Sequence, residues 1–502
     1  MIRRIALSGC VVLVASCQSD YRKNASGVTD ALQKGEYSLA AGSAAAFVPK
    51  ADTRDKVAVL LEAGRAAQLS GDVEQSIVHY EAADELVRPY LLEKPEALVS
   101  EVVTATLVNQ TMSMYRATPG ERIMLNTLLA LNRMAIGDLA GARVELNRAH
   151  DWQQAACARY QDEIVKQQAA MTRASAERKT DVSNIRHPKL ASLAASVEDR
   201  RGYANFANPF STYIRAVLQL ATSRDAGDIA NARTDLRAVV GMAPDAAPVI
   251  ARDLDRIDTR QAVPPTTWIF VLSGLAPHYE ELRLDVPIVV GPVPYVAAAF
   301  PVFHAGSGGV DGVRASADGS DTSGAMLCDL NEIAGHEYRL RLPGIIVQEV
   351  ATAATKSAAT WAASSAVGSG DSGGSAAAIM MIAGIIYQAT STAADLRCWH
   401  SMPQRVHAVA LPTPADGVVR LFASDGRELA DLHVDSGKHN IVAVSTPSAQ
   451  APPSVQVARL DDSFTPSSPT LAPVTPPVSN KVTSTPLRSS SRRRIIPQSS
   501  QP

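Results

Sequence analysis

Apolar and polar positions divide the chain into a helical half and a half that contains strands. From about residue 30 to residue 260, apolar residues recur with the period of an amphipathic helix, in segments rich in Ala, Leu, Glu and Arg. Beyond Val263-Pro264-Pro265 the period shortens to two, as in a half-buried strand. We therefore predict an α+β protein, with a helical domain over residues 51–260 and a mixed domain with a small antiparallel sheet over residues 266–445.

Three Gly-Asp steps separate amphipathic segments in the helical half, at Gly71-Asp72, Gly137-Asp138 and Gly227-Asp228. Each Gly is predicted to end one helix in the left-handed conformation, and each Asp to cap the next helix. The small and aromatic residues around these turns resemble those of the tetratricopeptide repeat, a stacked pair of helices. The steps are unevenly spaced, so the array is irregular. A plain array of helical hairpins without a binding groove is the alternative.

The second half is predicted to combine strands with Ala-rich helices. The run Thr267–Leu272 and the alternating run 282–286 suggest a hairpin, and residues 305–324 suggest a loop or irregular strands. A long helix is predicted over Ile345–Ala363. Residues 404–445 then suggest about four strands, which would pack with the first hairpin.

Residues Ala376–Tyr387 form an almost wholly apolar run that follows a Gly/Ser-rich segment. As a helix this run is too short to span a bilayer, which needs about twenty residues. It fits a buried helix that folds back on the preceding one, together forming an Ala/Gly-rich helical hairpin. Insertion into a membrane or a partner protein is the alternative.

The N-terminus has the order of a bacterial lipoprotein leader. Arg3 and Arg4 precede an apolar stretch, and Val14-Ala15-Ser16-Cys17 resembles a lipobox. We predict that residues 1–16 are removed, that Cys17 carries the lipid, including a palmitate-type acyl chain, and that residues 17–50 form a tether. Gln18 after Cys17 favours the outer membrane, with the body facing the periplasm. An ordinary signal peptide is the alternative.

The C-terminal residues 446–502 are rich in Pro and Ser and are predicted to be a disordered tail. Arg492-Arg493-Arg494 makes the tail basic. This run is either simply solvated or makes a weak contact with peptidoglycan or another anionic polymer of the envelope.

Composition excludes several classes of protein. The chain has 48 basic and 50 acidic residues, which argues against a nucleic-acid-binding protein. Only five cysteines occur among 502 residues, so this is not a disulfide-rich scaffold. After cleavage Cys157, Cys328 and Cys398 remain beside Cys17, so at most one pair forms among them. A Cys328–Cys398 bond and three separate thiols both fit the sequence.

Motifs for catalysis are absent from the sequence. His336-Glu337 lacks the second His of a zinc-protease helix, and there is no nucleophile elbow or P-loop. The ten His are scattered, so we predict no metal site and no cofactor. Asp395, Arg397 and Trp399 form the most suggestive cluster. They either fix the junction between helix and sheet or line a recognition site.

Three segments resemble a family of functionally uncharacterised bacterial lipoproteins whose N-terminal half is tetratricopeptide-like. They are Glu121–Asn126 with the following Ala130-Leu131-Asn132 and Gly137-Asp138, then Tyr203–Phe210, and finally Asp395–Pro403. The last segment is similar to that family's Asp-x-Arg-x-Trp turn before its final sheet. The resemblance implies a location in the cell envelope. It implies no reaction and no catalytic residues.

The sequence therefore favours a lipid-anchored outer-membrane protein that acts as a non-enzymatic scaffold in envelope assembly or maintenance. Stacked helix pairs present surfaces suited to peptides or partner helices, so we expect an envelope protein as the partner. The alternative is a ligand-binding or catalytic module built on the strand-containing half.

Overall fold

A computed structural model describes residues 20–92, 114–160, 165–166, 169, 187–203, 207–286, 296–368 and 393–460. Three predictions lie outside these residues: the lipobox at Cys17, the apolar run Ala376–Tyr387 and the tail beyond residue 460. The fold is α+β, with a helical region over residues 21–258 followed by mixed β-sheets.

The helices begin close to the N-terminal end of the described chain. They are α1 (Asp20–Gln33), α2 (Tyr37–Phe47), α3 (Lys56–Leu69), α4 (Val73–Val87), α5 (Pro89–Leu92), α6 (Pro119–Ala135), α7 (Leu139–Ala155), α8 (Pro188–Ala195), α9 (Pro209–Ala221), α10 (Ala226–Met242), α11 (Ala247–Asp258) and α12 (Leu330–Gly368). The pairs α3/α4, α6/α7 and α9/α10 pack as hairpins.

Two of the three helical turns have the geometry that their sequences suggest. Gly71 and Gly137 have φ angles of +85° and +81°, which only Gly adopts without strain. The following residues, Asp72 and Asp138, cap α4 and α7 by accepting hydrogen bonds from backbone N–H groups three residues later.

The prediction for the third turn is wrong. Gly227 lies inside the first turn of α10 and has no positive φ. Asp225 caps this helix by accepting a hydrogen bond from Asp228 N at 3.0 Å. The helix starts earlier than predicted because Asp225, which also precedes an amphipathic run, is the residue that binds the free N–H groups.

A tether is predicted over residues 17–50, but the described part of this range, from residue 20 on, is folded. Residues 20–47 fold as α1 and α2, and α1 buries Tyr21, Ala25, Val28 and Leu32. Val28 and Leu32 share an apolar cluster with α2 and α3. Their spacing of four residues places them on one face of the helix, so α1 belongs to the folded body.

The strands form three sheets. They are β1 (Thr266–Ser273), β2 (His278–Val286), β3 (Val296–His304), β4 (Val313–Ala317), β5 (Ser320–Ser323), β6 (Ala325–Asp329), β7 (Arg405–Pro412), β8 (Val418–Ala423), β9 (Glu428–His433), β10 (His439–Thr446) and β11 (Ser454–Leu460). A five-stranded sheet has the order β11-β10-β1-β7-β6, a four-stranded sheet has the order β5-β4-β8-β9, and β2 pairs with β3.

Several strand predictions are corrected by this topology. β1 does not form a hairpin with β2: it lies between β7, antiparallel, and β10, parallel. A central position suits β1 because all eight of its residues are buried. Of the two alternatives for residues 305–324, a loop or irregular strands, the structure has the strands β4 and β5. β11 extends the sheet beyond residue 445, so part of the predicted tail is folded.

The five-stranded sheet lies between the helices and the four-stranded sheet. In β1, Trp268, Phe270 and Leu272 belong to the apolar cluster that contains the helices. Ile269 and Val271 point the other way and pack with the four-stranded sheet. The predicted domains 51–260 and 266–445 therefore share one core, and the described residues belong to one compact unit. The boundary near residue 263 separates kinds of secondary structure without separating cores.

A second apolar cluster joins α8, α12 and the β2–β3 pair, with Phe300 and Tyr338 among its buried residues. α12 includes the predicted helix 345–363 but starts at Leu330 and continues through Pro343. Within the part of the chain that the structure describes, no helix is both long enough and apolar enough to cross a membrane.

Candidate functional site

The first helices of the three hairpins are covered on both sides. α3, α6 and α9 pack against their own second helices on one side and against the five-stranded sheet on the other. Phe210 and Tyr213 of α9 contact Phe270 of β1, with ring centroids 5.4 and 5.7 Å apart. Arg65 of α3 donates to the Ser445 hydroxyl at 3.1 Å. The chain's own sheet therefore occupies this face of the helical array.

An open groove lies on the other side, between the second helices α7 and α10, with α9 as its floor. Its volume is about 730 Å³. Most of its lining is polar, with one large exposed apolar side chain, Val144. We call it the outer groove. The polar residues that line the outer groove are Arg143, Asn147, His150, Gln154, Arg215, Gln219, Arg224, Asp228, Asn231, Thr234 and Asp235.

Gln219 is the polar side chain at the floor of the outer groove. It is only 7% exposed, and its Oε1 atom has no hydrogen-bond partner among the described residues. A buried carbonyl oxygen without a donor is destabilising by about 1–3 kcal/mol. Less than 1 Å² of this oxygen is exposed, so a donor from a ligand in the groove would reach it only after the Gln219 side chain turns toward the groove.

Two ion pairs fix the walls of the outer groove. Arg143 of α7 reaches Asp228 of α10 at 3.0 Å and so bridges the groove at one end. Arg215 of α9 binds both carboxylate oxygens of Asp235 of α10, at 2.8 and 2.7 Å. The first pair joins the second and third hairpins, and the second pair joins the two helices of the third hairpin.

Asp395, Arg397 and Trp399 lie together in the segment 393–404, which precedes β7. The Arg397 guanidinium binds Asp395 at 2.7 Å and Asp55 at 3.1 Å. Trp399 is 1% exposed and packs edge-on against Tyr80 of α4. Since Arg397 and Trp399 are buried and their partners belong to the helical region, these contacts join the segment to the helices.

Two buried carboxylates that we did not select from the sequence bind the backbone of the same segment. Glu62 of α3 accepts hydrogen bonds from His400 N at 2.7 Å and Ser401 N at 3.2 Å. Glu121 of α6 accepts one from Trp399 N at 2.7 Å. The signal for Glu62 was present, because it is a single acidic residue within the apolar run VAVLLEAG.

Cys398 and His400 sit beside Glu62 but do not form an activated nucleophile. The Cys398 sulfur lies 3.6 Å from the His400 ring nitrogens. Burial raises the pKa of the Cys398 thiol, and the nearby His400 offsets this only in part. Burial opposes protonation of His400, yet Cys398, as the thiolate, and Glu62 raise its pKa well above the ordinary value. A thiol that has a raised pKa and is only 6% exposed is a poor nucleophile.

The thiols are separate, which is one of the two arrangements that the sequence left open. In the described chain, none of Cys157, Cys328 and Cys398 is in a disulfide. Cys328 lies on β6, buried against α9, and burial raises its pKa. Cys398 lies in the segment that precedes β7 and points towards Pro277.

Histidines come together at one place, on the surface of the β2–β3 pair. His278 and His304 stack across the two strands, and Glu280 approaches them at 3.8 and 3.4 Å. Within residues 20–460, leaving out the stretches that the structure does not describe, no group of three His, Cys, Asp or Glu residues is placed to hold a metal ion.

A small cavity beside Cys398 and Trp399 is bounded by Glu337 of α12. Its volume is about 30 Å³, enough for a single water molecule. Glu337 Oε1 accepts a hydrogen bond from Gly120 N, at 2.7 Å, at the N-terminus of α6. Burial raises the pKa of Glu337 to about 7, although Arg341 and the Gly120 bond oppose the shift.

We expect Glu337→Gln to remove one component of the pH dependence of stability. The folded protein keeps a proton on Glu337 that the unfolded chain releases above its ordinary pKa of 4.5. This carboxyl's contribution is therefore full below pH 4.5 and is lost as the pH rises through about 7. As the pH rises from about 5.5 to about 8, the free energy of unfolding of the variant should increase by about 2 kcal/mol relative to that of wild type.

Urea denaturation of both proteins at several pH values measures this difference. The contributions of other titrating groups cancel in the difference between the two free energies of unfolding. His407, whose pKa burial lowers to about 4, is one such group. Parallel stability curves for the two proteins would show that Glu337 is ionised throughout this range.

Comparison with protein-family models, curated proteins and solved structures finds no significant match to this chain. A functional proposal for it therefore rests on its own residues and geometry.

Proposed function

We propose that the protein is a lipid-anchored, non-enzymatic scaffold of the bacterial envelope that binds a partner protein in the outer groove. The observation that carries this proposal is the groove itself, with the unsatisfied Gln219 oxygen at its floor. The face made by the first helices is filled by the five-stranded sheet, whereas the groove between α7 and α10 is an outward-facing surface of the array.

The alternative of a catalytic or ligand-binding module in the strand-containing half has weaker support. The cavity beside Cys398, Trp399 and Glu337 has room for about one water molecule. Asp395, Arg397 and Trp399 bind other parts of the same chain. The side chains of this cluster are thus engaged in contacts within the fold.

The proposed location is the periplasmic face of the outer membrane, with Cys17 as the lipid anchor. α1 begins three residues after Cys17, and Tyr21 is buried, with its hydroxyl donating to the Cys398 carbonyl. Four residues of chain reach at most about 14 Å. An anchor at Cys17 would therefore hold the folded body next to the lipid surface, which limits partners to those that approach the membrane.

Site-specific photo-crosslinking in cells tests the function. A photoreactive residue is placed at Asn147 or Asn231, on opposite walls of the outer groove, and at Ala238 as an exposed control on α10. We expect the two groove positions to capture the same envelope protein and Ala238 not to capture it. The purified partner should then bind the wild-type chain and lose affinity for Gln219→Leu.

Capture of the same proteins from all three positions would contradict a specific groove. If Gln219→Leu binds the purified partner with the affinity of wild type, the interface lies elsewhere on the molecule.

A further inference from the structure

We infer that the occupant of the outer groove is an extended, acidic segment of the partner protein. This inference rests on the proposed function and specifies the chemistry of the partner. Three features of the groove support it: side-chain amides along its walls, an unsatisfied acceptor at its floor and an arginine at its edge.

Carboxamides line the outer groove on all three helices. Asn147 and Gln154 lie on α7, Gln219 on α9 and Asn231 on α10. A carboxamide carries one acceptor and two N–H donors, so it matches the carbonyl and N–H groups of a peptide backbone. Asn147 and Gln154 are two helical turns apart, about 10 Å. About three residues of an extended chain cover that distance.

The floor of the groove holds an acceptor for the ligand. Gln219 Oε1 is buried and has no partner, as described above. A turn of this side chain toward the groove would let Oε1 accept from a backbone N–H of an extended chain that lies between α7 and α10. A bond of this kind is unavailable to a purely aliphatic ligand, so the groove selects against one.

The charges of the groove favour an acidic segment. Arg143 and Arg215 are paired with Asp228 and Asp235, so these four charges cancel. Arg224 donates its backbone N–H to Asp228, while its side chain is exposed. Among the ion pairs between described residues, none involves Arg224. The remaining positive charge suits a carboxylate on the ligand.

The same features argue against two other occupants. The chain's own C-terminal tail carries Arg492-Arg493-Arg494 and would be repelled by Arg224. An envelope glycan would gain from aromatic side chains that cover the faces of its sugar rings. No Trp, Tyr or Phe is among the residues that line the groove.

Selection from a phage-displayed library of random dodecapeptides, with the purified mature chain as the target, tests the inference. We expect enriched peptides to share Asp or Glu residues. A synthetic peptide of the enriched sequence should bind wild type and lose at least about tenfold in affinity for Gln219→Leu. Arg224→Gln should lower the affinity for this peptide about fivefold. The variant should also bind the acidic peptide no better than a version of the peptide with Gln in place of Glu, whereas wild type should prefer the acidic one.

Arg237→Gln is the matched control, because Arg237 is an exposed arginine of α10 that lies outside the groove and pairs with Asp258. It should bind the peptide as wild type does. Gln219→Leu should melt no lower than wild type, since it removes an unsatisfied buried acceptor. If it does melt lower, the exposed pair Asn147→Ala and Asn231→Ala replaces it in the binding assay, with the same loss expected.

Enrichment of neutral or basic peptides, or an acidic peptide whose affinity is the same for Arg224→Gln, would overturn the inference. If a partner crosslinks to the groove in cells but acidic peptides fail to bind, the proposed function stands and this inference fails. If acidic peptides bind with the expected pattern but no partner crosslinks, the chemistry of the groove stands and the proposed function fails.

Discussion

Replacing Glu62 with Leu should lower the free energy of unfolding by about 3–5 kcal/mol, the range for removing one partner of a buried charged network. Glu62 is 1% exposed and accepts hydrogen bonds from His400 N and Ser401 N. Leucine would leave these two donors buried without an acceptor. It would also leave His400, whose pKa is raised well above its ordinary value, without its carboxylate partner.

Equilibrium denaturation measures this loss against two controls. Glu62→Gln keeps one acceptor oxygen and should lose less stability than Glu62→Leu. Glu85→Leu replaces an exposed glutamate of the neighbouring α4 and should stay within about 0.5 kcal/mol of wild type. Equal stability of Glu62→Leu and Glu85→Leu would show that the 393–404 segment does not depend on Glu62.

Glu62 and Glu121 also hold the segment that carries the Asp395–Trp399 cluster against the helices. The segment 393–404 lacks regular secondary structure, so its backbone N–H groups have no ladder partners. Carboxylates from α3 and α6 bind three of them. In addition, Arg397 of the segment forms an ion pair with Asp55 of the helical region. The sequence shows that Asp395, Arg397 and Trp399 are unusual together. It does not show that Arg397 and Trp399 have partners more than 250 residues away, at Asp55 and Glu121.

Helix turns that depend only on neighbouring residues could be predicted from the sequence. The turns at Gly71 and Gly137 follow from a glycine that takes a positive φ and an aspartate that caps the next helix. At Gly227 the same dipeptide misleads, because Asp225 two residues earlier caps the helix first. A dipeptide therefore predicts that a turn is near without choosing between competing caps.

Strand pairing is non-local, and here sequence reasoning failed. Two neighbouring strand-like runs suggested a hairpin of β1 and β2, but β1 pairs with β7 and β10, over a hundred residues further along the chain. The full burial of β1 was visible as the apolar run TWIFVL, which indicates a central strand. Its partners depend on which faces the helices and the four-stranded sheet cover, and no local pattern reports that.

The helical region expressed alone, as residues 20–262, should retain helix but lose cooperative unfolding. Without the sheet, α9 exposes Phe210 and Tyr213, which pack on Phe270 in the full chain. Two buried polar groups also lose their partners. Arg65 loses Ser445, and Asp253, which is 0% exposed, loses the Trp268 indole N–H that binds it at 2.9 Å. Helical circular dichroism with a broad thermal transition and dye binding to exposed apolar surface is the expected result.

The matched control is the chain ending at residue 460, which removes only residues outside the described fold. It should melt cooperatively, at the temperature of the full chain. A cooperative transition of the 20–262 fragment at that same temperature would mean that the helices form their own core and the sheet is an accessory layer. The face made by α3, α6 and α9 would then be able to open, and a partner could bind there in place of β1. Loss of the transition would instead establish that the sheet is part of the helical core, so that binding is confined to outward-facing surfaces such as the groove between α7 and α10.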